Sequence, residues 1–272
     1  MSSKARVSVS SWSLHRSLGR PAFYGANEKL PSGSHNQGAL SLLELPKAIA
    51  DIGITTLEIV HFHLPSTDDA YLAELRAELE TAGVELFSLL IDAGDITHPE
   101  HGERDLAWME GWLDVAAKLG CRCARVIAGK QDPSDEVLRL SAKRLTRLAN
   151  KADALGLRLM TENWFGTTST PETVLWLLDA LEGQLGLCVD FGNWQGEDKY
   201  ENLARIVKHA ESCHAKASFE GSQIQQKDYQ TCLDLTKRVN FQGPYTLIFD
   251  SPEPNEWQGL GIEREIVQAY VS

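Results

Sequence analysis

Four stretches in the second half of the chain carry residues that could bind a metal ion or move a proton. "LRLMTENWFG" holds Glu162, "LGLCVDFGNW" holds Asp190 and Asn193, "SCHAKASF" holds His214 and Lys216, and "YTLIFDSP" holds Asp250. Three carboxylates and an imidazole from separate stretches make a hard, mixed oxygen and nitrogen donor set. Such a set suits Mn²⁺, Mg²⁺, Co²⁺ or Zn²⁺ and leaves positions open for substrate oxygens. Taken singly, each residue reads more often as a cap or a hydrogen-bonded structural group. Their recurrence on successive strand-like runs is the signal. Lys216 stands two residues after His214 and therefore shares its face of a strand, within reach of a substrate oxygen.

Other residues could shape a substrate pocket. Trp12, Trp164 and Trp194 stand at or just beyond strand-like runs, as packing under loops or as an apolar wall for the C–H face of a sugar. His15, His35, His61 and His63 could donate to substrate oxygens, although solvated loop histidines are the commoner case. Asp92, Asp95 and His98 could line the pocket, with Asp95 read as a turn residue. For Glu58, periodicity alone leaves open whether it faces a barrel interior or a helix layer.

The elements that must position these residues alternate along the chain. Short β-branched or apolar runs at 7–12, 54–60, 84–92, 123–129, 158–163, 186–192, 212–217 and 245–250 are separated by amphipathic segments, with a last one near 262–271. That is the pattern of repeated βα units and a parallel sheet. Gly53, Gly83, Gly120, Gly156 and Gly243 stand shortly before strands, and Pro133 and Pro171 stand where helices begin. Eight units predict an α/β fold, a (β/α)₈ TIM barrel, as a single domain over 1–272. An open doubly wound sheet shows similar alternation, but the glycine fingerprint of dinucleotide binding is absent. Residues 13–40 are too long for a simple βα connection and are expected to overhang the catalytic face. Asp190-Phe191-Gly192 matches a kinase tripeptide by chance, since no Gly-rich or HRD loop accompanies it.

The 272 residues carry a formal charge of -12, which argues against a nucleic-acid partner. No apolar run approaches the roughly 20 residues that span a bilayer, and no secretory h-region is seen. The expectation is a cytoplasmic protein with no membrane partner. Five cysteines, with Cys121 and Cys123 too close for a zinc knuckle or redox pair, read as reduced and mostly buried. The expected partner is a small sugar-like molecule, with homo-oligomerisation left open.

With these segments placed, the chain resembles the xylose isomerase-like TIM-barrel superfamily, the sugar phosphate isomerase/epimerase group, over nearly its whole length. "TENWFG" is similar to the group's Glu-Asn-His segment with Trp164 in place of the histidine, "VDFGNW" to its Asp-Phe-Gly-Asn segment, and "CHAKASF" to its His-Ala-Lys strand. The resemblance implies Glu162, Asp190 and His214 as metal ligands. It also implies a fourth ligand, a glutamate on the last strand, where this chain has Ile248, with Asp250 at the second acidic position. That ligand is either displaced by two residues or lost. The implied activity is a divalent-metal-dependent isomerase or epimerase of a small sugar, keto sugar or keto acid, with Glu162 and Asp250 moving the proton through an enediolate. The alternatives are a metal-dependent dehydratase or lyase, and a sugar-binding barrel without chemistry.

Overall fold

The computed structural model describes residues 4–29, 33, 35, 38–252 and 255–271, so residues 30–32, 34, 36 and 37 of the 13–40 loop lie outside the described residues. Eight parallel strands close a barrel: β1 (Arg6–Ser10), β2 (Thr56–Val60), β3 (Glu85–Ile91), β4 (Cys123–Val126), β5 (Arg158–Glu162), β6 (Gly186–Asp190), β7 (Ala210–Lys216) and, after a short antiparallel ribbon of β8 (Phe219–Glu220) and β9 (Gln223–Ile224), β10 (Pro244–Ile248). Their order around the wall is β1-β10-β7-β6-β5-β4-β3-β2. The barrel closes where Val9 of β1 lies beside Leu247 of β10 on one side and Leu57 of β2 on the other. Both faces of β2, β6 and β10 are buried along their whole length, which is why these runs read as near-continuous rather than alternating hydrophobicity.

Helices α1 (Leu45–Asp51), α2 (Asp69–Ala82), α3 (Gly102–Leu119), α4 (Asp135–Ala154), α5 (Pro171–Ala180), α6 (Lys199–Ile206), α7 (Gln226–Arg238) and α8 (Glu256–Val267) pack outside the strands. Pro171 opens α5 where its missing N–H costs nothing. Gly120 ends α3 at φ 75°, a left-handed cap that other residues adopt at a cost. The last helix starts six residues before the expected 262, capped by the Asn255 side chain, which accepts from the Gln258 N–H at 2.9 Å. Gly259 hides the helical pattern there. It is needed because a Cβ would lie 2.0 Å from the Phe249 ring.

The barrel interior is layered by the two-residue period of the strands. Phe87, Cys123, Met160 and Cys188 form a separate apolar cluster. Arg125, Glu162 and Asp190 each follow a member of that cluster by two residues, so an apolar floor lies directly beneath them. All five cysteines are free and buried. No described helix is long and apolar enough to cross a membrane.

The segment after β1 is tied down by one carboxylate. Buried Glu256, at the start of α8, accepts from the Arg16 N–H (2.7 Å), the Ser17 N–H (2.8 Å) and the Ser17 hydroxyl (2.6 Å). Glu256→Ala leaves these donors without their acceptor. It is expected to lower stability by about 1–3 kcal/mol and to speed hydrogen exchange at Ser17 relative to the amides of β3. Unchanged exchange at Ser17 would show that the segment is held by other contacts.

Candidate functional site

The carboxyl ends of the strands surround a cavity of about 260 Å³, slightly below the usual range for ligand pockets of roughly 300–1,000 Å³. Its polar lining includes Asp92, Arg125, Glu162, Asp190, His214 and Lys216, and Trp12, Phe23, Phe62 and Trp164 form aromatic walls. The size suits a small ligand.

His214 on β7 is the hub. Its Nδ1 lies 3.3 Å from Glu162 Oε2 and 3.6 Å from Asp190 Oδ2, and its Nε2 lies 2.9 Å from Oε2 of Glu58 on β2. Glu58 thus faces the interior and fixes the imidazole from behind, the arrangement that commonly orients a metal-ligating histidine. Asp190 is positioned by the backbone and by Asn163: its N–H donates to Asn163 Oδ1 (2.7 Å), and its own Oδ1 accepts the N–H groups of Gly192 (2.6 Å) and Asn193 (2.8 Å). Asn193 turns back to donate to Glu162 Oε1 at 2.6 Å. Glu162 Oε2 is buried and is held by ion pairs, to His214 and to Arg125, whose Nε lies 3.1 Å away.

Arg125 on β4, only 3% exposed, is the residue that sequence reasoning missed. Its Nη2 lies 2.6 Å from Asp92, its Nε 3.1 Å from Glu162, and its guanidinium packs 5.5 Å from the Trp164 ring centre. Asp92 is steadied by its own N–H, which donates to His61 Nδ1 at 3.2 Å. Burial opposes the charge of Glu162, but Arg125 and His214 outweigh it and hold its carboxyl down at about 2. Burial likewise opposes a charged His214, but Cys188, Glu162 and Glu58 raise its pKa well above the ordinary value.

Trp12, Trp164, Asn193 and Lys216 stand where the sequence places them, at the cavity. Two other expectations are corrected. His15 and His63 do not line it: His63 is buried against Ser11, Nδ1 to Oγ 2.7 Å, and its Nε2 meets His15 Nδ1 at 3.0 Å while His15 stacks on Trp12. They support the wall instead of touching its inner surface: the helical turn His61–His63 after β2 carries His63 behind it, and the turn Ser11–Leu14 after β1 carries His15. Asp250 does line the cavity but is not drawn into the donor group around His214. It lies beyond the end of β10 and accepts from Lys216 Nζ at 2.7 Å. Asp95 is the expected turn residue, accepting from the Thr97 N–H, the Thr97 hydroxyl and the Lys130 N–H. Cys188, unmarked in the sequence, joins Glu162 and His214 in a set of donor atoms lying within 4.8 Å of one another.

The xylose isomerase-like TIM barrel family matches residues 46–264. The chain belongs to this family. A candidate hydroxypyruvate isomerase of Streptomyces coelicolor is 31% identical over 138 residues, 45% of this chain and 49% of the relative, so the match spans about half of that protein's length. Among solved structures, a xylose isomerase-like TIM barrel protein from Mycobacterium smegmatis in complex with magnesium is 15% identical with TM-score 0.69, covering 98% of this chain and 96% of that one. A D-allulose 3-epimerase from Methylomonas sp. is 14% identical with TM-score 0.70, covering 98% of each chain. At these identities the structures show the shared barrel fold.

The histidines behind the wall leave a measurable trace. Burial holds His63 well below the ordinary histidine pKa of 6.5, with His15, His35 and His61 adding to the effect. Below that pH the unfolded chain takes up a proton that folded His63 refuses, so acid favours unfolding. His63→Gln is therefore expected to lose less stability than wild type between about pH 8 and about pH 5.5, read from urea unfolding at both. Equal losses would mean that His63 is protonated in the folded barrel.

Proposed function

We propose that this protein is a divalent-metal-dependent isomerase or epimerase of a small keto sugar or keto acid. The observation that carries this reading is the approach of Glu162 Oε2 and Asp190 Oδ2 to one nitrogen of His214. Two buried carboxylates converging on an imidazole that is oriented from behind fit a cation site. Burial raises the Cys188 pKa, so it stays a neutral thiol, and its soft sulfur suits Mn²⁺ or Mg²⁺ less well than the carboxylates do. Glu162, Asp190 and His214 would hold the ion. The isomerase and epimerase names of the relatives, and the magnesium of one neighbour, support the reading.

Such an ion supplies Lewis acidity at a substrate carbonyl and its neighbouring hydroxyl. The chain's own residues do the rest. Glu162, kept ionised by the Arg125 guanidinium at 3.1 Å, is the carboxylate placed to accept a proton from the carbon beside the carbonyl. Lys216 is held protonated: burial opposes its charge, but Asp190 and the hydrogen bond to Asp250 outweigh that. The Lys216 ammonium, held by Asp250, can give a proton at the adjacent carbon or the opposite face to complete passage through an enediolate, and the proton left on Glu162 passes back to Lys216 through solvent before the next turnover. Trp12 and Trp164 wall the cavity against water and offer ring faces to substrate C–H groups.

Glu162→Gln is expected to lower turnover by at least about 10²-fold with the melting transition still cooperative, measured as mass-conserving conversion of keto sugars and keto acids by NMR. Activity within tenfold of wild type would remove Glu162 from the proton transfer. Glu58→Gln removes no ligand but takes away the negative charge behind the imidazole, and it should weaken Mn²⁺ binding to chelator-stripped protein by about 10–100-fold. Loss or gain of substrate mass in the same assay would instead indicate a dehydratase or lyase. Ile248 in the cavity wall, where the family resemblance implies a glutamate, favours a second reading as a sugar-binding barrel without turnover, which binding with no product across the panel would support.

A further inference from the structure

Arg125 has more donors than partners. Asp92 and Glu162 face its Nη2 and Nε, while Nη1 is buried and has no hydrogen-bond partner among the described residues. A guanidinium cannot shed its charge to escape the cost of burial, and a buried N–H left unsatisfied is itself costly. The other lining cation, Lys216, is already engaged by Asp250 at 2.7 Å.

We propose that Arg125 determines specificity at this site, its guanidinium taking the carboxylate of a small α-hydroxy or α-keto acid. This inference rests on the metal-dependent reading above. With His214 neutral, as a ligand must be, Asp92, Glu162, Asp190, Asp250 and the neighbouring Glu58 against Arg125 and Lys216 leave the site three charges negative. An anionic ligand is repelled by that balance, and a divalent cation removes most of the repulsion. Once Glu162 is committed to a cation, only Asp92 remains to neutralise Arg125, and the planar fork matches a carboxylate. Acid and metal therefore bind cooperatively, and the cavity of about 260 Å³ restricts the acid to a few carbons.

D-Glycerate and glycerol share a three-carbon frame and differ by the carboxylate, so they separate charge recognition from hydroxyl recognition. Calorimetric titration of each into Mn²⁺-loaded protein is expected to show wild type preferring glycerate by about 10–100-fold. That preference should vanish in Arg125→Met and shrink in Arg125→Lys, with glycerate binding weakened in metal-free wild type. Should Arg125→Met fail to fold, with Asp92 and Glu162 left uncompensated, Arg125→Lys carries the comparison. An unchanged preference in the folded variants, or none in loaded wild type, would overturn the inference while Mn²⁺ uptake leaves the metal site standing. A wild type that takes up no Mn²⁺ would overturn both.

Discussion

Burying an ion costs several kcal/mol unless another charge or a set of hydrogen bonds replaces its water. The mouth of this barrel buries Glu58, Arg125, Glu162, Asp190 and His214 together, each below a tenth exposed. The surrounding structure follows from that condition. Glu58 must face inward because His214 needs a counter-charge, Asn163 must pair with the Asp190 backbone while the Gly192–Asn193 turn presents N–H donors to its carboxylate, and Asn193 must fold back onto Glu162. The apolar floor of Phe87, Cys123, Met160 and Cys188 keeps water from entering below, so these interactions act at close range with little screening.

The barrel was legible because its strands are buried on both faces and separated by turn glycines, two signals that survive without any partner sequence. Glu162, Asp190 and His214 were legible because each sits at the end of an apolar run, where a polar residue needs a reason. Arg125 carries a similar signal, a charged residue two positions after Cys123 inside "CARVIAG", but a single arginine in a short run reads as easily as a strand edge. Glu58 could not be assigned a face because β2 is buried on both sides, and periodicity then loses its meaning. Cys188 looked like ordinary core for the same reason.

Where the reading failed, tertiary contacts decided the outcome. His15 and His63 belong to segments that leave the strand ends, and the direction of a loop is set by what it packs on. Here that is Ser11, Trp12 and Phe62. The shift of α8 to Glu256 has a similar origin: two glycines weaken the helical pattern, yet one is required by the ring of Phe249 and the preceding glutamate is required by the backbone of Arg16 and Ser17. Asp250 lines the cavity, and its carboxylate accepts from the ammonium of Lys216 at 2.7 Å, a partner that two-residue periodicity does not reveal.

The cavity draws on Ser10 of β1 and Ile248 of β10, two strands that meet only at the seam of the barrel. No contiguous piece of the chain lacking either strand contains the whole constellation. A ligand that touches the whole cavity wall therefore finds nothing comparable to hold in an unfolded or half-assembled chain, and its binding energy accrues to the closed state. The site cannot template its own assembly. It can only reward completion, so occupancy reports whether the last strand has found the first.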